Sequence, residues 1–593
     1  MRPNLSTLGG SCVPGTGAGS LAGVNTPPKP WGAAWRSSPA TVWSVLLALS
    51  LTAPALGAEA GAAVRVQPTG LHWVDWAIIV AYLGGVLALG QYFAKRQSSN
   101  AEYFTAARTH IPPFLVGVSL FASLLSTISY LGKPGEMINK GPVVLIGQVL
   151  SLPFAYYIVG YWIVPRLMQQ RVTSAYELLE KRLGVTGRLV GAILFVKLRL
   201  VWMGLLVHVA STAIAVILGF ELRWVPALAV VVGLVPLIYT SMGGLRAVVV
   251  ANVVQYFLLL LGAILTVAIV TVRCGGFSWW PTAWSPYWDV QPFFSLDPHV
   301  RVTVFGATIS MLVWRVCTAG GDQMVIQHYM ATRDAVATRR SYLIMCWATF
   351  AVTVMLAIVG LALLGFFSRF PQLLGPGMEL GKSADHLFPY FVSNFLPVGV
   401  SGLVVAAIIA AASGMDTGVN AVTAVVMKDF LERFGWQAAT EARRLRTTKY
   451  LSFAIGTAVV GASLLIPLVP GNILEVTNKL ANLEATTIFG LFFLALFVPC
   501  ATPLGAIMGA VYGLTASVLV AFWDVLTGRP PISFLYIGVV GLSVDLGVGY
   551  AVSRLGPQPG DRRATRWVGA GLCLVLGAAV ALLLAAPAAG GKP

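Results

Sequence analysis

Charge is scarce in this chain. Of its 593 residues only 10% are Asp, Glu, Lys or Arg and 57% are apolar, a composition that excludes an ordinary soluble domain, where about 25% are charged. Cysteine is nearly absent. The six present (Cys12, Cys274, Cys317, Cys346, Cys500 and Cys573) are scattered, with no CxxC pair and no His-rich neighbour, which argues against a metal centre and a disulfide framework. Acids are few beside bases, 22 against 39, for a net charge of +17. No catalytic triad or metal-ligand spacing is present. The run GPGMELGKS at 375–383 resembles a phosphate-binding loop, but its first glycine is one residue out of register and it falls in a predicted outer loop. An ATPase is therefore rejected, and the chain reads as no enzyme.

What the chain has is long apolar runs and a mean hydropathy of +0.80. Residues 1–60 read as a disordered Gly/Pro/Ser-rich start followed by a signal peptide, with an apolar core at 42–56 and the small-residue site Ala58-Glu59-Ala60. An uncleaved anchor is the other reading of that segment. From residue 74 on there are about 14 apolar spans, each near the ~20 residues that a bilayer needs. They run from 74–93 and 111–131 through 302–326 to 566–586. Starting outside, the loops predicted to face the cytoplasm hold roughly 22 Lys and Arg against roughly 9 opposite. The chain thus reads as a multi-pass protein of the cell (inner or plasma) membrane, N-terminus outside. Its partners are the lipid bilayer and a small-molecule solute, and the basic surplus needs no nucleic acid.

The stretch FLVGVSLFASLLSTISYLGKPG at 114–135 is apolar enough to span, yet Ser119, Ser123, Ser126, Thr127 and Ser129 interrupt it and Gly132-Lys133-Pro134-Gly135 is expected to end it. An interrupted helix survives in hydrocarbon only where it lines a protein cavity. The alternative is that the hydroxyls bond back to their own helix and bend it. Five spans later 302–326 carries its own break at 318–323, Thr-Ala-Gly-Gly-Asp-Gln. Two broken helices at matching places in two five-helix halves point to an inverted-repeat transporter with its site at mid-membrane. The aromatic, proline-containing loop at 277–294 reads as an interfacial belt or external cap.

Four runs, SLFASLLSTISYLGKPGE at 119–136, YTSMGGLRAVVVANVVQ at 239–255, AGGDQMVIQHYMATRD at 319–334 and AAIIAAASGMDTGVNAVTAVVMKDF at 406–430, resemble the sodium:solute symporter family, in order over about residues 74–525. The resemblance implies an all-α polytopic protein with a pre-core helix at 70–100, a ten-helix core at 108–500 and additional helices over 501–593. It also implies sodium-driven uptake of a small polar or anionic organic solute by alternating access. The family's main sodium site maps onto backbone carbonyls of Ala122, Leu125 and Ala410 and the hydroxyl of Ser413. Its second hydroxyl falls on Gly414, which has no side chain. Family members often carry an aspartate where Asn252 stands, with Gln255 one turn on, and serine where Asp416 stands.

Ser413, Asp416, Thr417 and Asn420 share one helix face by i, i+3, i+4, i+7 spacing. The reading is that the carboxylate has moved from one wall of the ion cavity to the other. An ionised acid at mid-membrane costs about 2.5–3.5 kcal/mol on insertion scales. Asp416 therefore coordinates sodium, serves a second cation site, couples protons, or is a packing acid held by Thr417 or Asn252. For the solute, Ser129 and Tyr130 lie beyond the first break, Gln148 is on the next span, and Arg315, Thr318, Asp322 and Gln323 surround the second break. If Arg315 pairs with Asp322 its role is structural; if it has no acid partner, an anionic solute follows. Lys197 and Arg199 are expected to snorkel or project into the cytoplasm. A proton-coupled carrier of the same fold and a transporter-like sensor are the alternatives, and nothing after Arg566 resembles an output domain.

Overall fold

The computed structural model describes residues 71–555, apart from 96–98, 106–110, 170–171, 296, 376, 413 and 467–472. Regular structure among the described residues is all helical. Among the described residues nine helices are long and apolar enough to cross a membrane, or ten if one bent pair counts as a single span. The expected signal segment, Ser413 and the span at 566–586 lie outside the described residues.

Helix α1 is Trp73–Ala94. Asp75 in its first turn accepts the His72 amide at 3.0 Å, and its other oxygen accepts the amides of Gly399 and Gly402 at 2.7 and 2.8 Å. That carboxylate fastens the outermost helix to the start of α11, described below. The first broken helix follows, as α2 (Pro113–Leu124) and α3 (Thr127–Asn139), bent by 69°. Leu125 leaves helical geometry at ψ 132 and Ser126 is extended at φ −112, ψ 158; the Ser126 hydroxyl then caps α3 by accepting the Ser129 amide at 3.1 Å. The break therefore falls at Leu125-Ser126, and the Gly132–Gly135 run does not end the helix as expected. Pro134 sits inside α3, tolerated because neighbouring elements in a membrane bundle compensate for the hydrogen bond that proline removes.

Helix α4 is Val143–Ile158, continued to Met168, and α5 is Tyr176–Leu218. Helix α6 is Val225–Arg273. The last two are too long for one crossing, and each contains one residue off helical geometry, Gly184 at φ 67 and Gly244 at φ 58, a region that only glycine enters without strain. Gly244 divides α6 where the sequence separates spans 224–241 and 248–272. The second broken helix is α7 (Val304–Gly321) with α8 (Gln323–Met330), and Asp322 between them has ψ 121. Helix α9 is Ala335–Arg369, α10 Ala384–Phe395, α11 Val400–Ala412 and α12 Gly414–Val425. Helices α13 (Glu441–Ser463), α14 (Ile473–Phe497), α15 (Pro503–Ala521) and α16 (Leu535–Leu555) complete the described chain.

Burial ranks these helices by position. In the most apolar window of Val400–Leu431, 94% of residues are buried, against 17% in α1. The α11–α12 segment is thus the central post, on which the small residues of 402–424 admit close neighbours, while α1 lies at the rim. Lys382 pairs with Glu379 at 2.9 Å, both side chains exposed.

Candidate functional site

Where α2 stops, its last carbonyls have no intrahelical donor, and the dipole leaves them negative. Across from them stands Gly414: a Cβ built there would lie 3.5 Å from the Ser123 carbonyl oxygen and 3.6 Å from that of Leu125. Leu125 and Gly414 therefore meet. Ala122 and Ala410 are buried beside this point, 6% and 1% exposed.

A buried polar cluster adjoins it. Asn252 Nδ2 donates to Ser119 Oγ at 3.0 Å and Ser123 Oγ at 2.9 Å, and Ser123 Oγ lies 2.9 Å from Thr417 Oγ1. Thr417 donates its amide, 2.5 Å, and its hydroxyl, 3.0 Å, to one oxygen of Asp416, and the Tyr239 hydroxyl donates to the other. Asp416 is fully buried. At the far end of the cluster His328 Nε2 is 3.0 Å from Ser119 Oγ, linking α2 to α8. The structure thus joins Asn252, Thr417 and Asp416 through Ser119 and Ser123. Gln255 belongs to the Tyr82–Tyr239 side of the same acid. Two buried atoms remain without a partner, Asn252 Oδ1 and Gln255 Nε2. An orphaned oxygen, exposed backbone carbonyls and a carboxylate form a hard-donor set that suits an alkali cation.

Beyond the break lies a cavity of about 610 Å³, reaching from Leu125 and Ser126 to the loop residues His299, Arg301 and Pro531. Ser129, Gln148, Arg315 and Thr318 line it. The face that α3 presents is set by helical spacing: Ser129, Gly132, Lys133 and Glu136 stand at i, i+3, i+4 and i+7. Tyr130 is about 100° round from Ser129. It points away, buried against Phe388 with its hydroxyl donating to the Leu259 carbonyl at 3.3 Å.

Asp322 and Gln323 also lie outside the cavity lining. Asp322 caps α8 by accepting the Met324 amide at 2.8 Å and pairs with Arg199. Arg199 is 8% exposed, so it neither snorkels nor reaches the cytoplasm; it is held in the bundle by a partner far along the chain. Gln323 Oε1 accepts the Ala175 amide at 2.6 Å and its Nε2 donates to the Thr173 carbonyl at 2.9 Å. These bonds close the end of the bundle opposite the cavity mouth, where Arg188 also joins Asp429 at 2.6 Å and Glu180 at 2.5 Å.

With Asp322 engaged elsewhere, Arg315 has no acid partner among the described residues. Its Nε donates to Ser151 Oγ at 3.0 Å and its Nη2 to the Gln148 carbonyl at 3.4 Å, both neutral oxygens. Sequence reasoning passed over three participants. Lys133 donates to Thr353 Oγ1 at 2.8 Å and Glu136 holds Arg301 at 3.0 Å. Stepping one and then two turns from Ser129 would have found the first two. Tyr239 lies in a quoted motif, but nothing local ties it to Asp416.

A profile of the sodium:solute symporter family matches residues 103–513. The chain is 28% identical over 489 residues to the sodium/sialic acid symporter NanT of Aliivibrio fischeri, covering 80% of this chain and 92% of that one. It is 26% identical to the sodium-dependent multivitamin transporter of Oryctolagus cuniculus, covering 81% and 72%. Among solved structures, a sodium-coupled sialic acid symporter in a substrate-bound outward-open state superposes with a TM-score of 0.70 at 24% identity, over 82% of this chain and 98% of that one, a likeness of fold. The profile match spans well over half of the chain, and on that ground the chain belongs to the sodium:solute symporter family and is a sodium-coupled membrane transporter rather than an enzyme.

Proposed function

We propose that the protein is a secondary active symporter that imports an organic anion carrying a carboxylate, with sodium bound at the break of α2 and α3. The observation that carries this reading is Arg315: a buried guanidinium lining the cavity with only neutral partners is a site waiting for an anion. The N-terminal end of α3, where the Ser126 and Ser129 hydroxyls lie 3.1 Å apart, adds the positive end of a helix dipole to the same side. The similarity to a sialic acid symporter, whose named solute is an acid, agrees with this choice.

In this reading the sodium ligands are the carbonyls of Ala122, Leu125 and Ala410 with Ser413, and Asp416, Thr417, Asn252 and Gln255 supply the balancing charge and hydrogen bonds beside them. The two broken helices α2–α3 and α7–α8 occupy equivalent places in an inverted repeat within about 14 spans. The cavity mouth beside Arg301 faces outside and the Gln323–Ala175 seal faces the cytoplasm, so the state described is outward-facing. A tenfold sodium gradient supplies about 1.4 kcal/mol for each ion carried, and ~100 mV adds about 2.3 kcal/mol for each sodium charge that the anion does not cancel.

The test is uptake of labelled carboxylates, their neutral amides and sugars into proteoliposomes, with sodium and pH gradients imposed separately. Carboxylate uptake that follows sodium and fails in Arg315→Met is expected. Uptake that follows pH and ignores sodium, or neutral amides carried as well as acids, rejects the reading.

A further inference from the structure

The solute cavity holds a second cation without a counter-ion, and this carries the question of substrate class one step further. Lys133 lines the same cavity as Arg315. Its ammonium donates to the Thr353 hydroxyl of α9 at 2.8 Å, and no carboxylate lies within ion-pair distance among the described residues. Arg315 is tethered on the other side, to Ser151 and Gln148 of α4. The two cations therefore stand on different walls of one cavity.

The other charged groups of the cavity balance themselves. Arg301 bonds both oxygens of Glu136 at 3.0 Å, and Lys140 stands 3.5 Å from Asp289 at the rim. Of the acids named so far, Asp322 belongs to Arg199 and Asp416 to the ion cluster. Two like charges facing one closed space repel each other, and a monoanion neutralises one of them. The same cavity is also lined by the apolar and aromatic Phe121, Trp202, Met311, Trp314 and Met345.

The geometry points to a solute with two anionic groups on an apolar frame, a dicarboxylate in its simplest form, one group on Arg315 and the other on Lys133. This rests on the reading of Arg315 as an anion site and adds the second point of recognition. It also bears on coupling: two sodium ions would carry a dianion without net charge, whereas one would leave a negative charge moving against the membrane potential. The Leu125–Gly414 contact and the Asp416–Asn252 cluster offer two neighbouring places for them.

The test is sodium-dependent binding to the purified full chain, read by thermal shift, with matched pairs that differ by one carboxylate. Phenylsuccinate against 3-phenylpropionate is the aromatic pair, succinate against propionate the aliphatic one, and the methyl ester of 3-phenylpropionate is the neutral control. In at least one pair the dianion is expected to bind at least tenfold more tightly than the monoanion. Lys133→Met should erase that ratio and Lys133→Arg should keep it, the latter also showing that position 133 tolerates substitution. A panel in which no dianion binds, or in which the ratio is one in the wild type, overturns the proposal. So does a ratio unchanged in Lys133→Met. Binding of the neutral ester as tight as that of the acid sinks the anion reading itself, which separates the two failures.

Discussion

In the proposed sodium site Gly414 occupies the position of a hydroxyl ligand, and adding that hydroxyl is a direct test of where the ion sits. In Gly414→Ser the new Cβ would meet Leu206 Cδ1 at 3.4 Å and the Ser123 and Leu125 carbonyl oxygens at 3.5 and 3.6 Å, all ordinary contacts. The Cβ can therefore be added without repacking, and two of its three nearest neighbours are carbonyl oxygens at the proposed cation site. A neutral oxygen gained in a buried site is worth about 0.5–1.5 kcal/mol, or about two- to tenfold in affinity. The half-saturating sodium concentration, for radioactive sodium binding or for solute uptake, should fall by that factor. Gly414→Ala adds the same Cβ without the oxygen and should give no gain. A Ser variant that melts like the wild type yet binds sodium no better would refute the placement, as would an equal gain from Ala.

Three further outcomes are expected. Asp416→Asn should weaken sodium activation at least tenfold, and Asn252→Asp in that background should recover part of it, because both side chains reach Thr417; sodium titration of uptake reads both. At the crossing of α4 and α7 a Cβ on Gly147 would lie 2.5 Å from that of Ala307, so Gly147→Leu should destabilise by about 1–3 kcal/mol in a denaturant or thermal melt and distort the cavity wall. Outside the membrane, Asp334 caps α9 by accepting the Ala337 amide at 2.8 Å; that bond, with Arg333 nearby, holds its carboxyl below the ordinary range. An acid depressed in the folded state stabilises fully above its ordinary range and loses that contribution as pH falls through its folded value. Acid melting below about pH 4 should thus be shallower in Asp334→Asn, which keeps a capping side chain that does not titrate.

What could be read from the sequence follows from the range of each signal. Both helix breaks were visible because their causes are local: a capping residue, Ser126 or Asp322, preceded by a hydroxyl- or glycine-rich turn. The first break falls among the serines that mark it, whereas the Gly-Lys-Pro-Gly run misplaces the end of the helix, which continues to Asn139, since helix-breaking residues are tolerated in a bundle that surrounds them. The face of α3 was half found: Ser129 lines the cavity, Tyr130 does not, and Lys133 was legible by helical spacing but was read as part of a turn. Pairings across the bundle left no trace. Arg199 finds Asp322 and Asp416 finds Tyr239 over long separations, and hydropathy alone places such an arginine at the membrane edge.

Asp322 performs two tasks with one side chain. It starts α8 by holding an amide, and it anchors Arg199 in the middle of α5. The charge at one position and the helicity of another segment are therefore one property. A neutral residue at 199 would release the carboxylate to turn elsewhere, and the loss would be felt as fraying of the 323–330 helix and loosening of the Gln323 seal. The barrier on that side is thus built like an arch whose keystone lies off-centre: disturbing a side chain that touches neither cargo would let the passage leak.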